Sequence, residues 1–163
     1  MKKDINKAIY YLTLSSNQNN SDAQYYLGKI YFNGEYVPKD IDKAIHLFIQ
    51  SSNQNNSDAQ FILGQIYHDG LDVPQDITKS LHYLFLSSNN GNSNAYLYIG
   101  LIFYWGKFIQ KDIKKSFKYL TTSADKNNSY AQFFLGKLYY YGENIQRDIN
   151  KTIQYLTLSS KNE

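Results

Sequence analysis

The sequence predicts an all-α fold, an α-solenoid of 36-residue helix–turn–helix repeats. Three observations predict it. Gly28, Gly64, Gly100 and Gly136 stand 36 residues apart, and so do Gly34, Gly70, Gly106 and Gly142. The same step links Asp40, Asp76, Asp112 and Asp148, each followed by isoleucine, and links Ala23, Ala59, Ala95 and Ala131. The decamer SSNQNNSDAQ occurs twice, at 15–24 and at 51–60. A fixed period of this length is the signature of a repeat architecture. Four full units follow, 21–56, 57–92, 93–128 and 129–163, after a half unit at 1–20, and together they are read as one domain.

Each unit reads as two helices. The first starts after Asn20, Asn56, Asn92 or Asn128, where an asparagine side chain caps a helix by accepting from a free backbone N–H. Asp22 and Asp58 sit in the positively polarised first turn. Ala23, Leu27, Ile30 and Tyr31 share one face at helical spacing. Gly34 and its equivalents end the helix, because glycine tolerates the left-handed closing conformation. The loop then offers one apolar anchor, Val37, Val73, Ile109 or Ile145.

Asp40 and its equivalents cap the second helix, and Ile41, Ala44, Ile45 and Phe48 form its buried stripe. Small residues in the Ala44 column (Ser80, Ser116, Thr152) predict close helix approach. The Gly28 column predicts the same, since a helical glycine costs about 1 kcal/mol against alanine and needs a packing reason. In the decamer, the serines end one helix, Asn19 or Asn55 turns the chain, and Asn20 or Asn56 caps the next. Such a pair of helices closes a core only by stacking on its neighbours.

Composition agrees with a folded chain. Aromatic residues make up 17% of it, mostly tyrosine, whereas disordered segments are poor in them. There are no cysteines, which removes disulfides, thiolate metal sites and cysteine nucleophiles. No signal-peptide pattern or apolar run of spanning length is visible, so a cytoplasmic protein is expected. The net charge of +3 is small. It is uneven: residues 1–92 hold 7 lysines against 9 acids, and residues 93–163 hold 10 Lys/Arg against 5 acids.

With the period established, the units resemble the Sel-one-like repeats of the tetratricopeptide-like superfamily. That repeat has the form A-x-x-x-L-G-x-x-Y-x-x-G, then an apolar residue, an aspartate and K-A. The copies read AQYYLGKIYFNG–EYVPKDIDKA, AQFILGQIYHDG–LDVPQDITKS, AYLYIGLIFYWG–KFIQKDIKKS and AQFFLGKLYYYG–ENIQRDINKT. The third has Ile99 for Leu and Phe103 for Tyr. Where the family usually ends its second helix with two alanines, Ser51–Ser52 and their equivalents stand, with Ala124 in one copy. Asn19, Asn55 and Asn127 replace a later glycine, retained as Gly91. Secreted members with paired cysteines are a branch this chain does not match. The resemblance implies an α-solenoid wound as a right-handed superhelix that brings protein partners together, in signalling or in endoplasmic-reticulum quality control. The missing signal and membrane segments speak against the latter.

Catalytic signals are poor. His46 and His82 share a column 36 residues apart, too far for one metal if adjacent helices lie about 10 Å apart. They and His68 are read as solvated. No phosphate loop, dinucleotide motif, zinc-protease motif or nucleophile elbow occurs. The repeated aspartates are read as helix caps. No enzyme, cofactor or metal site is therefore expected.

What remains is surface. Positions 26, 29 and 33 of the first helix, and their equivalents, lie opposite the apolar face and are expected to line a concave side. They are Tyr26, Lys29 and Asn33; Ile62, Gln65 and Asp69; Tyr98, Leu101 and Trp105; Phe134, Lys137 and Tyr141. These columns vary most among copies, and the third is the most apolar. Tyr26, Tyr98 and Phe134 read equally as anchors or as packing; Trp105 and Tyr141 read more as anchors. The expected function is a non-catalytic scaffold or adaptor holding a peptide or protein. The alternatives are nucleic-acid binding through the basic second half and, less favoured, a hydrolase. The half unit at the start predicts either a longer array or end-to-end self-association.

Overall fold

The computed structural model describes residues 4–142 and 144–161. All nine regular elements among them are helices, and the chain divides into two units, Met1–Gly91 and Asn92–Glu163.

The first unit holds α1 (Ile5–Asn17), α2 (Ser21–Asn33), α3 (Ile41–Ser52), α4 (Ser57–Asp69) and α5 (Ile77–Asn89). Each starts at the residue the sequence marks. Asn20 and Asn56 accept from the N–H of Ala23 and Ala59 at 2.8 and 2.9 Å, and Asp40 and Asp76 accept from Lys43 and Lys79 at 2.9 Å. Helices α2 and α4 stop at Gly34 and Gly70, left-handed at φ 67° and 65°.

The pairs are laced at both ends. The Asp40 N–H donates to the Tyr31 carbonyl at 3.0 Å, joining the start of α3 to the end of α2. The Ser51 hydroxyl donates to the Ser21 carbonyl at 2.7 Å, joining the end of α3 to the start of α2. The two helices therefore run antiparallel. Asp76 with Tyr67, and Ser87 with Ser57, repeat this lacing for α4 and α5. Serine thus does at the helix end what alanine cannot: it satisfies a carbonyl of the paired helix.

Between the halves of each pair the approach is close. A Cβ on Gly28 would lie 2.7 Å from Phe48 Cε1 and 3.3 Å from the Ala44 carbonyl oxygen. This accounts for the glycine and small-residue columns together. Ala44, Phe48, Leu63 and Ile66 form a buried cluster.

Each decamer folds as a stop, a corner and a cap. Asn19 and Asn55 are left-handed at φ 63°. The following glutamine is buried and bonded at both ends of its amide. Gln60 donates to the Ser52 carbonyl at 3.0 Å and accepts from Asn90 at 2.9 Å, and Gln24 accepts from Gln54 at 2.7 Å. Buried amides are stable only when so paired.

The second unit holds α6 (Ser93–Trp105), α7 (Ile113–Asp125), α8 (Ser129–Tyr141) and α9 (Ile149–Lys161). Its lacing is the same: Asp112 to Phe103 and Asp148 to Tyr139 at one end, Ser123 to Ser93 and Ser159 to Ser129 at the other. Tyr104, Leu120, Ala124, Ala131, Leu135 and Leu138 form its buried cluster. Within each unit helices pair and stack in chain order, the arrangement of an all-α repeat solenoid. The buried stripe of the second helix is wider than the sequence suggests, since Leu47 is also buried, beside Ala44 and Phe48.

Candidate partner-binding face

Positions 26, 29 and 33 fall on the side of the first helix away from its buried residues. Ala23, Gln24, Leu27 and Gly28 are buried in α2, while Tyr26 and Asn33 are exposed and Lys29 is half-buried.

In the first unit five of the six predicted residues meet. Lys29 and Asn33 of α2, with Ile62, Gln65 and Asp69 of α4, line one cavity of about 350 Å³. Its floor is apolar, from Phe32, Ile62 and Ile66, and its rim carries Lys29, Asp69 and Asp72. Asp72 is held by Lys39 at 2.6 Å across the two loops. The sixth residue, Tyr26, is 54% exposed. It lines a second cavity, of about 290 Å³, with Lys29, Asn33 and the α1 residues Ile5, Ala8 and Leu12.

In the second unit the predicted residues divide by role. Leu101 and Phe134 pack onto the buried cluster. Phe134 meets Tyr104 edge-on at 5.0 Å, so it serves packing as well as surface. Tyr98 is half-buried and Lys137 exposed. Trp105 and Tyr141 are 66% and 67% exposed. Trp105 is steadied by the edge-to-face ring of buried Tyr104 at 4.8 Å, and Tyr141 by Tyr140 at 5.0 Å. An exposed aromatic ring offers a partner a large contact area.

Sequence reasoning missed two contributors. Leu71, in the loop after α4, is 88% exposed and lines the cavity between α2 and α4. Its signal was available: Glu35, Lys107 and Glu143 occupy the same column in the other copies. Tyr104, which positions Trp105, gave no signal, because tyrosines fill so many columns.

The lysines of the basic half are largely laid over rings. Lys107 sits 4.8 Å from the Phe108 ring centre, Lys111 5.1 Å from Tyr104 and Lys115 5.3 Å from Phe103. Burial and the neighbouring Tyr139 push the Tyr155 hydroxyl above its ordinary pKa, and burial with Tyr67 does the same for Tyr83. His46 and His82 are exposed, and among the described residues no group of three His, Cys, Asp or Glu gathers to hold a metal. No helix among them is long and apolar enough to cross a membrane.

Comparison with known proteins gives the family. The family model described as Sel1 repeat matches residues 1–20, 21–56, 57–92, 93–128 and 129–163, the boundaries the period implies. A Sel1 repeat protein from Oxalobacter formigenes is similar over 99% of this chain and 66% of its own, at 31% identity and a TM-score of 0.94. A protective antigen of uropathogenic Escherichia coli strains is similar over 94% of this chain and 33% of its own, at 24% identity and a TM-score of 0.88. An immunity protein from Pseudomonas aeruginosa shares the fold at 20% identity and a TM-score of 0.67, over 96% of this chain and 58% of its own. The chain thus spans between a third and two thirds of these structures. No curated protein matches it in sequence. With the repeat matched in register along its length, the chain belongs to the Sel1 repeat family.

Proposed function

We propose that the chain is a non-catalytic scaffold that holds a peptide or protein on the face presented by its first helices. Repeats of this family generally mediate protein–protein interactions. The observation that carries the reading is the pair Trp105 and Tyr141. Both are exposed aromatic residues, at the same position of α6 and α8, set by neighbouring rings beside the half-buried Tyr98, Leu101 and Phe134. Exposed aromatics backed by an apolar surround are the usual energetic centres of interfaces. The cavity between α2 and α4, with its apolar floor and charged rim, supplies a second foothold for a partner side chain.

Selection from a random peptide library, followed by titration on Trp105 emission, tests this. A selected peptide should shift the emission, and Trp105→Ala, whose affinity is read by calorimetry because Trp105 is the sole tryptophan, should bind that peptide about 30-fold more weakly, the equivalent of about 2 kcal/mol at a central anchor. Unchanged emission and full affinity in the folded Trp105→Ala variant would refute the assignment. Binding of nucleic acid instead, falling steeply with salt, would favour the basic half as the site. The lysines laid over Phe108, Tyr104 and Phe103 weigh against that outcome.

A further inference from the structure

One column of the second helix is broken in the first repeat. It reads Leu47, Tyr83, Tyr119, Tyr155. In three repeats the tyrosine lies flat against an aromatic ring of the first helix. Tyr83 stacks on Tyr67 with centroids 5.9 Å apart and planes 6° apart. In the second unit Tyr119 stacks on Phe103 at 6.1 Å and 8°, and Tyr155 on Tyr139 at 5.8 Å and 8°. The first repeat keeps the first-helix ring, Tyr31, but offers it Leu47, which has no flat face.

A second shortfall meets the first. Thr13 of α1 occupies the column that holds Ile49 in α3 and Phe85 in α5, and threonine again at Thr121 and Thr157. Leu47, smaller than the tyrosines of its column, and Thr13, smaller than Ile49 and Phe85, line one cavity of about 470 Å³ together with Tyr31, Lys43, His46 and Gln50. That volume is in the range of small-ligand sites. The lining is mixed: an aromatic face and two aliphatic side chains on one part, an ammonium, an imidazole and amides on the other.

Lys43 lies closer to Tyr31 than its counterparts lie to their rings. Its Nζ donates to the Tyr31 hydroxyl at 2.8 Å and sits 4.0 Å from the ring centre. Lys151 makes the same hydroxyl bond, to Tyr139, at a longer 3.3 Å. Where the tyrosine pair is complete, the equivalent lysines stand farther off, at 5.3 Å for Lys79, 5.3 Å for Lys115 and 4.9 Å for Lys151. Lys43 is exposed, so an incoming group displaces it at little cost and gains it as a hydrogen-bond donor.

We propose that this cavity binds a phenol-type aromatic ring from outside the chain, seated on Tyr31 as the other repeats seat their own tyrosine. The hydroxyl, or an acid group in its place, faces Lys43 and His46. The site uses Gln24, Leu27 and Tyr31 of α2, whereas the proposed partner-binding face uses Tyr26, Lys29 and Asn33, so the two stand or fall separately.

The test is titration with 4-methylphenol, the isolated tyrosine side chain, followed by nuclear magnetic resonance. Saturable shifts are expected at Tyr31, Leu47 and Thr13, with cyclohexanol, of similar size but not planar, at least tenfold weaker. Leu47→Tyr supplies the ring internally and should weaken 4-methylphenol at least tenfold while raising the melting temperature. Thr13→Ile fills the cavity from the other side and gives an independent check, with circular dichroism confirming that each variant is folded. A peptide Gly-Gly-Tyr-Gly-Gly that binds more tightly than 4-methylphenol assigns the ring to a partner chain; a weaker one assigns it to a free small aromatic. Cyclohexanol binding as well as 4-methylphenol, shifts that bypass Tyr31 and Leu47, or wild-type affinity in either folded variant would overturn the proposal.

Discussion

Replacing Gly64 with alanine sets two physical effects against each other. Helix propensity favours the change by about 1 kcal/mol. Packing opposes it. The added Cβ would lie 2.7 Å from both Cδ2 and Cγ of Leu84, well inside the carbon–carbon optimum of about 3.5–4.0 Å. Leu84 is fully buried and has no solvent to retreat into. Overpacking of this kind costs about 1–3 kcal/mol, so Gly64→Ala should lower stability by about 1 kcal/mol net. Leu84→Ala alone leaves a cavity and should cost about 2–5 kcal/mol. In the double variant the new methyl enters the space the leucine vacates. The pair should then be less destabilised than the sum of the singles by at least about 1 kcal/mol. Urea unfolding followed by far-ultraviolet circular dichroism measures the totals. Amide exchange in α4 and α5 localises the effect, because repeat arrays need not unfold in one step. A stabilised Gly64→Ala, or single changes that add within about 0.5 kcal/mol, would show that the glycine column does not exist for close helix approach.

The small-residue column gives a sharper comparison. Ser80 donates to the Gly64 carbonyl at 2.8 Å, whereas the equally buried Ser116 hydroxyl has no partner among the described residues. Ser80→Ala should cost about 0.5–1.5 kcal/mol, and Ser116→Ala should be neutral or stabilising, as thermal unfolding will show. Helix capping predicts an acid response. The Lys79 and Lys115 backbone N–H groups donate to Asp76 and Asp112 and hold their carboxyls below the ordinary value of 3.8. Their contribution is therefore complete above that value and is lost as pH falls through the lower folded-state value. Carboxyl titration by nuclear magnetic resonance should place both below Asp residues of the unfolded chain, and amide exchange should show the first turns of α5 and α7 fraying only as the pH falls through those lowered values.

The period made most of the fold legible. Asparagine and aspartate caps, glycine stops and asparagine corners are local devices, and the structure finds each where its letter stands. Burial was harder to see where the buried residue is polar. Gln60 and Ser51 are fully buried, and only their partners in the paired or preceding helix explain why. The varying columns 26, 29 and 33 were found because exposure leaves them free to differ, but variation does not separate Phe134, which packs on Tyr104, from Trp105, which stands out. The cavity beside Tyr31 was invisible because Leu47 is apolar like any core residue. It becomes informative only when the stacked pairs of the other copies show what is missing.

The lacing of the helix pairs has a consequence for how such a chain changes length. The serine-to-carbonyl ties at the helix ends reach back 30 residues, that of Ser80 to Gly64 reaches back 16, and the asparagine ties Asn56 to Asp22 and Asn128 to Asn94 reach back 34. All of these lie inside the 36-residue step. An inserted copy brings its own donors and acceptors and leaves existing ties in register. A single residue added inside a helix shifts every tie that spans it. Evolution by duplication is thus nearly free for this architecture, while one-residue insertions and deletions are confined to the loops, and an engineer lengthening the protein faces the same rule.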